Sequence, residues 1–130
     1  MEAVAFPLPE VVYRAYLSPL LGVPVAAEVP NPRPASFVRV VRAGGNARDL
    51  VTDSAVVVFE AWAPSQLAAG ELGRRMAAYV RASAQSDVGG AWIRSVSDVA
   101  GLQYSPDPTS EVPRYLYTAE VRLRVESLRS

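Results

Sequence analysis

The side chains that most often perform enzyme chemistry are missing from this sequence of 130 residues. It contains no cysteine and no histidine, which excludes thiol nucleophiles, disulfides, cysteine or histidine metal sites and a histidine general base. Its serines therefore lack the partner that a serine hydrolase uses. The acidic residues are spread along the chain without an Asp-x-Asp cluster. We expect a protein that is not an enzyme and that uses no metal or cofactor.

Glycine and tyrosine motifs give little support for phosphate or nucleic-acid binding. The pairs Gly44–Gly45 and Gly89–Gly90 are isolated and form neither a Walker loop nor a dinucleotide fingerprint. Tyr115 and Tyr117 share one face of a predicted strand. Stacking on bases is one interpretation of this pair, and packing in the core is the commoner role of such aromatics.

The basic residues are unusual because all thirteen are arginine, and thirteen acidic residues balance them. A net charge of zero does not favour a nucleic-acid or anionic-membrane partner, which would require a net basic face. Codon bias in a GC-rich genome would explain the missing lysine. The alternative is that the planar guanidinium suits ion pairs at interfaces. Both explanations stay open.

Hydrophobic periodicity predicts one α+β domain over residues 1–130, a mainly antiparallel sheet with two helices packed on one face. One helix should run from Pro9 to Leu20, stopped by Pro19 and Gly22. The second should begin at its cap Ser65 and end near Ala84. Strands are predicted at Val23–Val29, Phe37–Arg42, Ser54–Trp62, Ala91–Val99 and Arg114–Ser127, and a loop at Gly101–Pro113.

A long β-hairpin arm is the central predicted feature. Its strands flank the polar segment Ala43–Asp53, whose glycines supply the left-handed positions that a bend uses. Three prolines upstream make the approach stiff and non-helical. We predict that the arm contacts a neighbouring subunit or an adjacent ring of another protein. The residues proposed for that contact are Arg42, Asn46, Arg48, Asp49 and Asp53.

Two further patterns suggest contact with other molecules. The strand Ser54–Trp62 is apolar on both faces, so we expect both to be covered, one of them by a neighbouring chain. Arg122 and Arg124 lie on the outward face of the last strand. They are either an ordinary solvated surface or a surface that lines a nucleic-acid passage.

The sequence has no pattern typical of export or membrane insertion. Its first residues lack a basic region followed by an apolar run, so we expect no signal peptide. No apolar run approaches the ~20 residues that span a bilayer. We expect a protein made in a cytoplasm and without a membrane partner.

Five segments in a fixed order carry a family resemblance: VPNPRP at 29–34, FVRVVRAGG at 37–45, VTD at 51–53, FEAWAP at 59–64 and RYLYTAEVRLR at 114–124. With them the chain resembles the tail terminator proteins of long-tailed bacteriophages, in particular those from phages of actinobacteria. The resemblance covers most of the chain. Its motifs are structural, and its specificity rests on their order.

The resemblance implies a ring, usually a hexamer, at the head-proximal end of the tail tube. Such a ring stops polymerisation of the major tail tube protein and offers a surface to the head-tail connector or stopper proteins. Double-stranded DNA passes through its lumen without sequence specificity. The implied location is the neck of the virion tail, after assembly in the host cytoplasm. The alternative is another neck component, a head completion or connector-stopper protein, which differs in its partner.

Overall fold

The computed structural model describes residues 3–128, with only the backbone of Ser127, and forms a curled, mainly antiparallel sheet with two helices on one face. This is the predicted α+β architecture. The elements in chain order are β1 (Val4–Ala5), α1 (Pro9–Leu21), β2 (Val25–Ala26), β3 (Phe37–Ala47), β4 (Thr52–Trp62), α2 (Gln66–Ala82), β5 (Ser86–Val88), β6 (Ala91–Tyr104), β7 (Arg114–Arg124) and β8 (Glu126–Ser127).

The main sheet has six strands within the described residues, in the order β2-β3-β4-β7-β6-β5. Only β2 is parallel to its neighbour, and the other pairs are antiparallel. The two long strands β4 and β7 lie side by side in the centre and pair along their whole length. A separate two-stranded sheet joins β1 to β8.

The main core lies between the sheet and the helices. Alternate β4 residues, including Val57 and Phe59, are completely buried on that side. The ring of Tyr13 in α1 meets Phe59 edge to face at 5.1 Å between centroids. Its hydroxyl lies 2.8 Å from Ser83 Oγ, just beyond α2, and burial raises the pKa of Tyr13 well above its usual value. Both helices are thus held to one face.

Two glycines bring α2 close to the sheet. A Cβ on Gly73 would lie 3.0 Å from Leu102 Cδ1 and 3.1 Å from Tyr115 Cβ, and a Cβ on Gly70 would lie 3.3 Å from the Tyr115 ring. These glycines cost helix propensity, about 1 kcal/mol each. Close approach of the helix to β6 and β7 accounts for both.

The first helix ends where expected but not at Pro19, which lies inside it. Gly22 ends the helix in a left-handed conformation, with φ of 68°, and its N–H donates to Ser18 O at 3.0 Å. The prediction that Pro19 contributes to the stop was wrong. Leu17 and Leu21 are buried, so packing of the last turn outweighs the one hydrogen bond that the proline lacks.

Several strand boundaries differ from the prediction. The expected strand Val23–Val29 is reduced to β2, and the expected last strand ends at Arg124, with β8 as a separate element. The predicted loop after Val99 begins later, because β6 continues to Tyr104 and pairs with β7. The short strands β1 and β5 were not predicted, since two or three residues are too few to show a period.

The hairpin of β3 and β4 is long, but its loop is short. Most of the predicted polar segment Ala43–Asp53 is strand, and only residues 48–51 connect the two strands. A bulge between Arg42 and Gly44 preserves the pairing, and Gly45 takes a φ of 92°. The glycines therefore do not form the bend. They let the strand continue past an irregularity in its register.

Candidate assembly surfaces

The predicted contact residues Arg42 and Asp53 bind each other across the hairpin. Arg42 Nη2 donates to Asp53 Oδ1 at 2.9 Å, and Arg42 Nη1 donates to the second carboxylate oxygen. Arg42 Nε donates to Gly44 O at 2.9 Å, and Glu10 accepts a hydrogen bond from the Arg42 backbone N–H. Hydrogen bonding to Asp53 raises the pKa of Arg42. These two residues hold the hairpin together and do not offer free charges to a partner.

The far end of the hairpin presents the other predicted contact residues, with Asn46 near the end of β3 and Arg48 and Asp49 in the loop. Asn46 and Arg48 are exposed. Asp49 is also exposed, but its Oδ1 accepts the backbone N–H groups of Val51 at 2.8 Å and Thr52 at 2.9 Å. The Asp49 side chain therefore stabilises the loop through hydrogen bonds to the loop's own backbone.

Sequence reasoning missed Leu50, whose exposed fraction is 87%. It lies at the tip of the same loop, between Asp49 and Val51. A signal was present, because a large apolar residue is unusual in an otherwise polar hairpin loop. Single exposed apolar residues are common on protein surfaces, and the signal is therefore weak without the fold.

The sheet face opposite the helices is open in its central part. Val41, Val56 and Val58 lie there and are only partly buried. In the register of β4 and β7, Ser54 faces Arg122 and Thr52 faces Arg124, so both predicted arginines lie on this face. Arg124 is exposed and Arg122 partly so, which is compatible with a solvated surface and with a passage lining.

Arg122 is incompletely satisfied where it stands. Its Nε lies 3.2 Å from Glu120 Oε1, yet this buried nitrogen makes no hydrogen bond of good geometry. A buried donor without a partner is costly, of the order of 1–3 kcal/mol. The Arg122 guanidinium is thus only partly satisfied within the fold, while its side chain as a whole is 34% exposed.

The end of this face near the start of β3 is closed. Phe37 and Trp62 stack at 5.1 Å, and the guanidinium of Arg114 lies 5.3 Å from the Trp62 ring. The buried carboxylate of Glu60 accepts hydrogen bonds from Trp62 Nε1 at 3.0 Å and Arg39 Nη1 at 3.3 Å. Internal contacts therefore cover this end, and only the valine region is left uncovered.

A third polar cluster ties the end of α2 to the sheet. Asp98 accepts hydrogen bonds from Arg81 Nη2 at 2.9 Å and from the Tyr117 hydroxyl at 2.6 Å. These bonds, that from Arg81 above all, hold the pKa of Asp98 below its usual value. Burial, together with the bond to Asp98, raises the pKa of Tyr117 to about 12. Arg81 and Asp98 are about half exposed, so the cluster has the character of a structural ion pair.

Residues 3–128 hold no group of three or more acidic side chains placed to bind a metal ion. In the same part of the chain, neither helix has the length and apolar character that crossing a bilayer requires. Comparison of the sequence with models of known protein families and with curated proteins gives no match. The assignment of a function therefore depends on the surfaces described above.

Proposed function

We propose that this chain is the subunit of a structural ring, of six copies by analogy with the tail terminators it resembles, at the head-proximal end of a phage tail tube. The ring would stop addition of the major tail tube protein and join the tail to the connector or stopper proteins of the head. It would reside in the neck of the virion after assembly in the host cytoplasm. No catalytic activity is part of this proposal.

The observation that carries the proposal is the open centre of the sheet. Val41, Val56 and Val58 leave an apolar strip partly exposed on strands whose other face is fully packed. An apolar strip left partly exposed on a well-packed domain is a candidate site of association. In a ring or in a stack of rings, a neighbouring chain would cover this strip.

The hairpin loop is the second support. Asn46, Arg48 and Asp49 lie at the far end of a rigid two-stranded element, which suits contact with an adjacent subunit or with the last ring of the tube. Arg42 and Asp53 would act indirectly, because their ion pair fixes the position of the loop. Of the contact residues proposed from the sequence, three would thus touch the partner, and the other two would hold the loop in place.

Arg122 and Arg124 are our candidates for the lumen. Passing DNA needs a weak and non-specific surface, since strong phosphate contacts would hold the cargo. A chain with zero net charge and two arginines on one open face meets that need. The side chain of Arg122 is 34% exposed and would offer its guanidinium to a passing phosphate.

The test is the mass of the purified protein by light scattering over a concentration series, with and without tail tube protein of the same phage. We expect a discrete ring-sized species, or capture of the chain at tube ends together with shorter tubes. A strict monomer that leaves tube growth unchanged would refute the terminator role. Binding to portal-side connector proteins instead would establish the connector-stopper alternative.

A further inference from the structure

The side chain of Leu50 is exposed on a loop whose backbone is fixed by hydrogen bonds. It is the most exposed large apolar side chain among the described residues. The loop around it is fixed from inside, because the backbone N–H groups of Arg48 and Asp49 both donate to Thr52 O, at 2.8 and 3.3 Å. The side chain of Asp49 adds two more bonds to the loop. Leu50 is therefore a preorganised apolar knob, and little ordering entropy is lost when it binds.

A pocket of about 250 Å³ lies beside the start of α1. Its floor includes the buried Val12 and Ala91, and its rim includes the exposed Leu8 and Val11. Its lining residues within the range 3–128 are apolar or glycine except for the carboxylate of Glu126.

One wall of the pocket is fixed by tight packing. Gly89 has a φ of 52°, and a Cβ there would lie 2.3 Å from Val12 O. The turn between β5 and β6 therefore rests directly on the backbone of α1, where only glycine fits. The pocket is formed before any ligand arrives.

We propose that Leu50 of one copy inserts into this pocket of the next copy, and that this contact closes the ring. The inference rests on the proposed function, because it supposes a ring of identical chains. Knob and pocket are different patches, which permits a heterologous contact, and a heterologous contact that closes gives a ring. The pocket of the same copy is not the receptor, since Leu50 is exposed in the folded chain.

Charge and position agree with this pairing. Arg48, two residues from Leu50, is exposed, and among the described residues the charged side chain that lines the pocket is that of Glu126, also exposed. The loop and the pocket lie at the same end of the sheet, because Val125 N donates to Val51 O at 2.9 Å.

Cysteine cross-linking tests the contact directly, because the chain has no cysteine of its own. The Leu50→Cys and Val11→Cys variants are mixed under assembly conditions and oxidised, so that a mixed disulfide forms only between different chains. We expect a dimer that contains one copy of each variant, identified by mass spectrometry of the linked peptides. The control replaces Leu50→Cys by Leu67→Cys, whose parent side chain is 86% exposed on α2. Equal cross-linking by the control, or no mixed disulfide in an assembled sample, would overturn the inference.

Assembly of a charged variant gives the second readout. We expect Leu50→Asp to raise the concentration for half-maximal assembly at least about tenfold, since it removes a buried leucine from each contact. Leu67→Asp should leave that concentration unchanged. Wild-type rings together with unaffected Leu50→Asp rings would refute the knob and leave the proposed function standing. Wild-type chains that never assemble, alone or on tubes, would refute both.

Discussion

The carboxylate of Asp53 and the guanidinium of Arg42 form a two-pronged ion pair that joins the strands of the β3–β4 hairpin. The side chain of Asp53 is 1% exposed and that of Arg42 is 28% exposed. All three guanidinium nitrogens of Arg42 donate hydrogen bonds, two to Asp53 and one to Gly44 O. These bonds lie at the bulge that interrupts the strand register. The pair therefore fixes the register of the hairpin at its weakest point.

Removal of one member of this pair should destabilise the fold. We expect Asp53→Ala to lower the free energy of unfolding by about 2–3 kcal/mol, below the usual range for a fully buried pair because Arg42 keeps some solvent. Urea denaturation followed by circular dichroism measures this change. Arg48→Ala, in the exposed loop, is the control and should change stability by less than about 0.5 kcal/mol. A loss of under 1 kcal/mol for Asp53→Ala would mean that the pair does not hold the hairpin.

The two adjacent glycines of the bulge should respond differently to the same substitution. A Cβ on Gly45 would lie 2.0 Å from Ser54 O, and its φ is positive, whereas a Cβ on Gly44 meets nothing within 4 Å. We expect Gly45→Ala to cost about 2 kcal/mol or more in unfolding free energy, since the backbone must move. Gly44→Ala should stay within about 0.5 kcal/mol of wild type. Similar losses in thermal or urea unfolding would show that the bulge adapts.

The Asp98 cluster predicts a pH-dependent contribution to stability. The pKa of Asp98 is lowered in the folded state, so its stabilising effect is present above the unfolded pKa, about 3.9, and is lost as the pH falls through the folded pKa. At pH 7 the Asp98→Asn variant should be less stable by under about 1 kcal/mol, because the pair with Arg81 is half exposed.

The difference between wild type and Asp98→Asn should shrink as the pH falls below about 4. Urea denaturation at pH 7, 5 and 3 measures it. Added salt should also reduce it, by screening the ion pair. A difference that grows toward low pH would contradict the assigned cause.

Charge reversal on the open face of the sheet distinguishes a role in DNA passage from a role in ring assembly. We expect the double variant Arg122→Glu, Arg124→Glu to form rings like wild type but to slow DNA ejection from assembled particles, because the lumen would repel phosphates. The matched control reverses Arg74 and Arg75 on α2, on the helix side of the sheet. Unchanged ejection would place Arg122 and Arg124 outside the lumen, and a loss of rings would place them in a subunit contact.

The sequence predicted the parts of the fold that repeat a local period. The stripe of α2 and the alternation of β7 appear within single segments, and both elements are where they were expected. The hairpin was predicted with too long a loop, because Gly44 and Gly45 suit a bend and a bulge equally well. Only the strand pairing distinguishes these two roles.

The candidate site was harder to predict because its parts are distant in sequence. Arg42 and Asp53 are on different strands, and their pairing depends on a register that includes the bulge. The apolar pocket combines residues 6–12, the turn at Gly89–Ala91 and Glu126. None of these segments has a distinctive pattern alone. Their chemistry exists only when the fold assembles them.

The central place of β7 also constrains how the chain is made. A ribosome releases β2, β3 and β4 first and the β5–β6 pair later, while the strand that must lie between β4 and β6 emerges after both. Until then the nascent chain carries two half-sheets with unpaired inner edges, each able to pair with another molecule. The two half-sheets can therefore join only after β7 has emerged. Overexpression is expected to be limited by this interval, and slower initiation or lower temperature should raise the soluble yield.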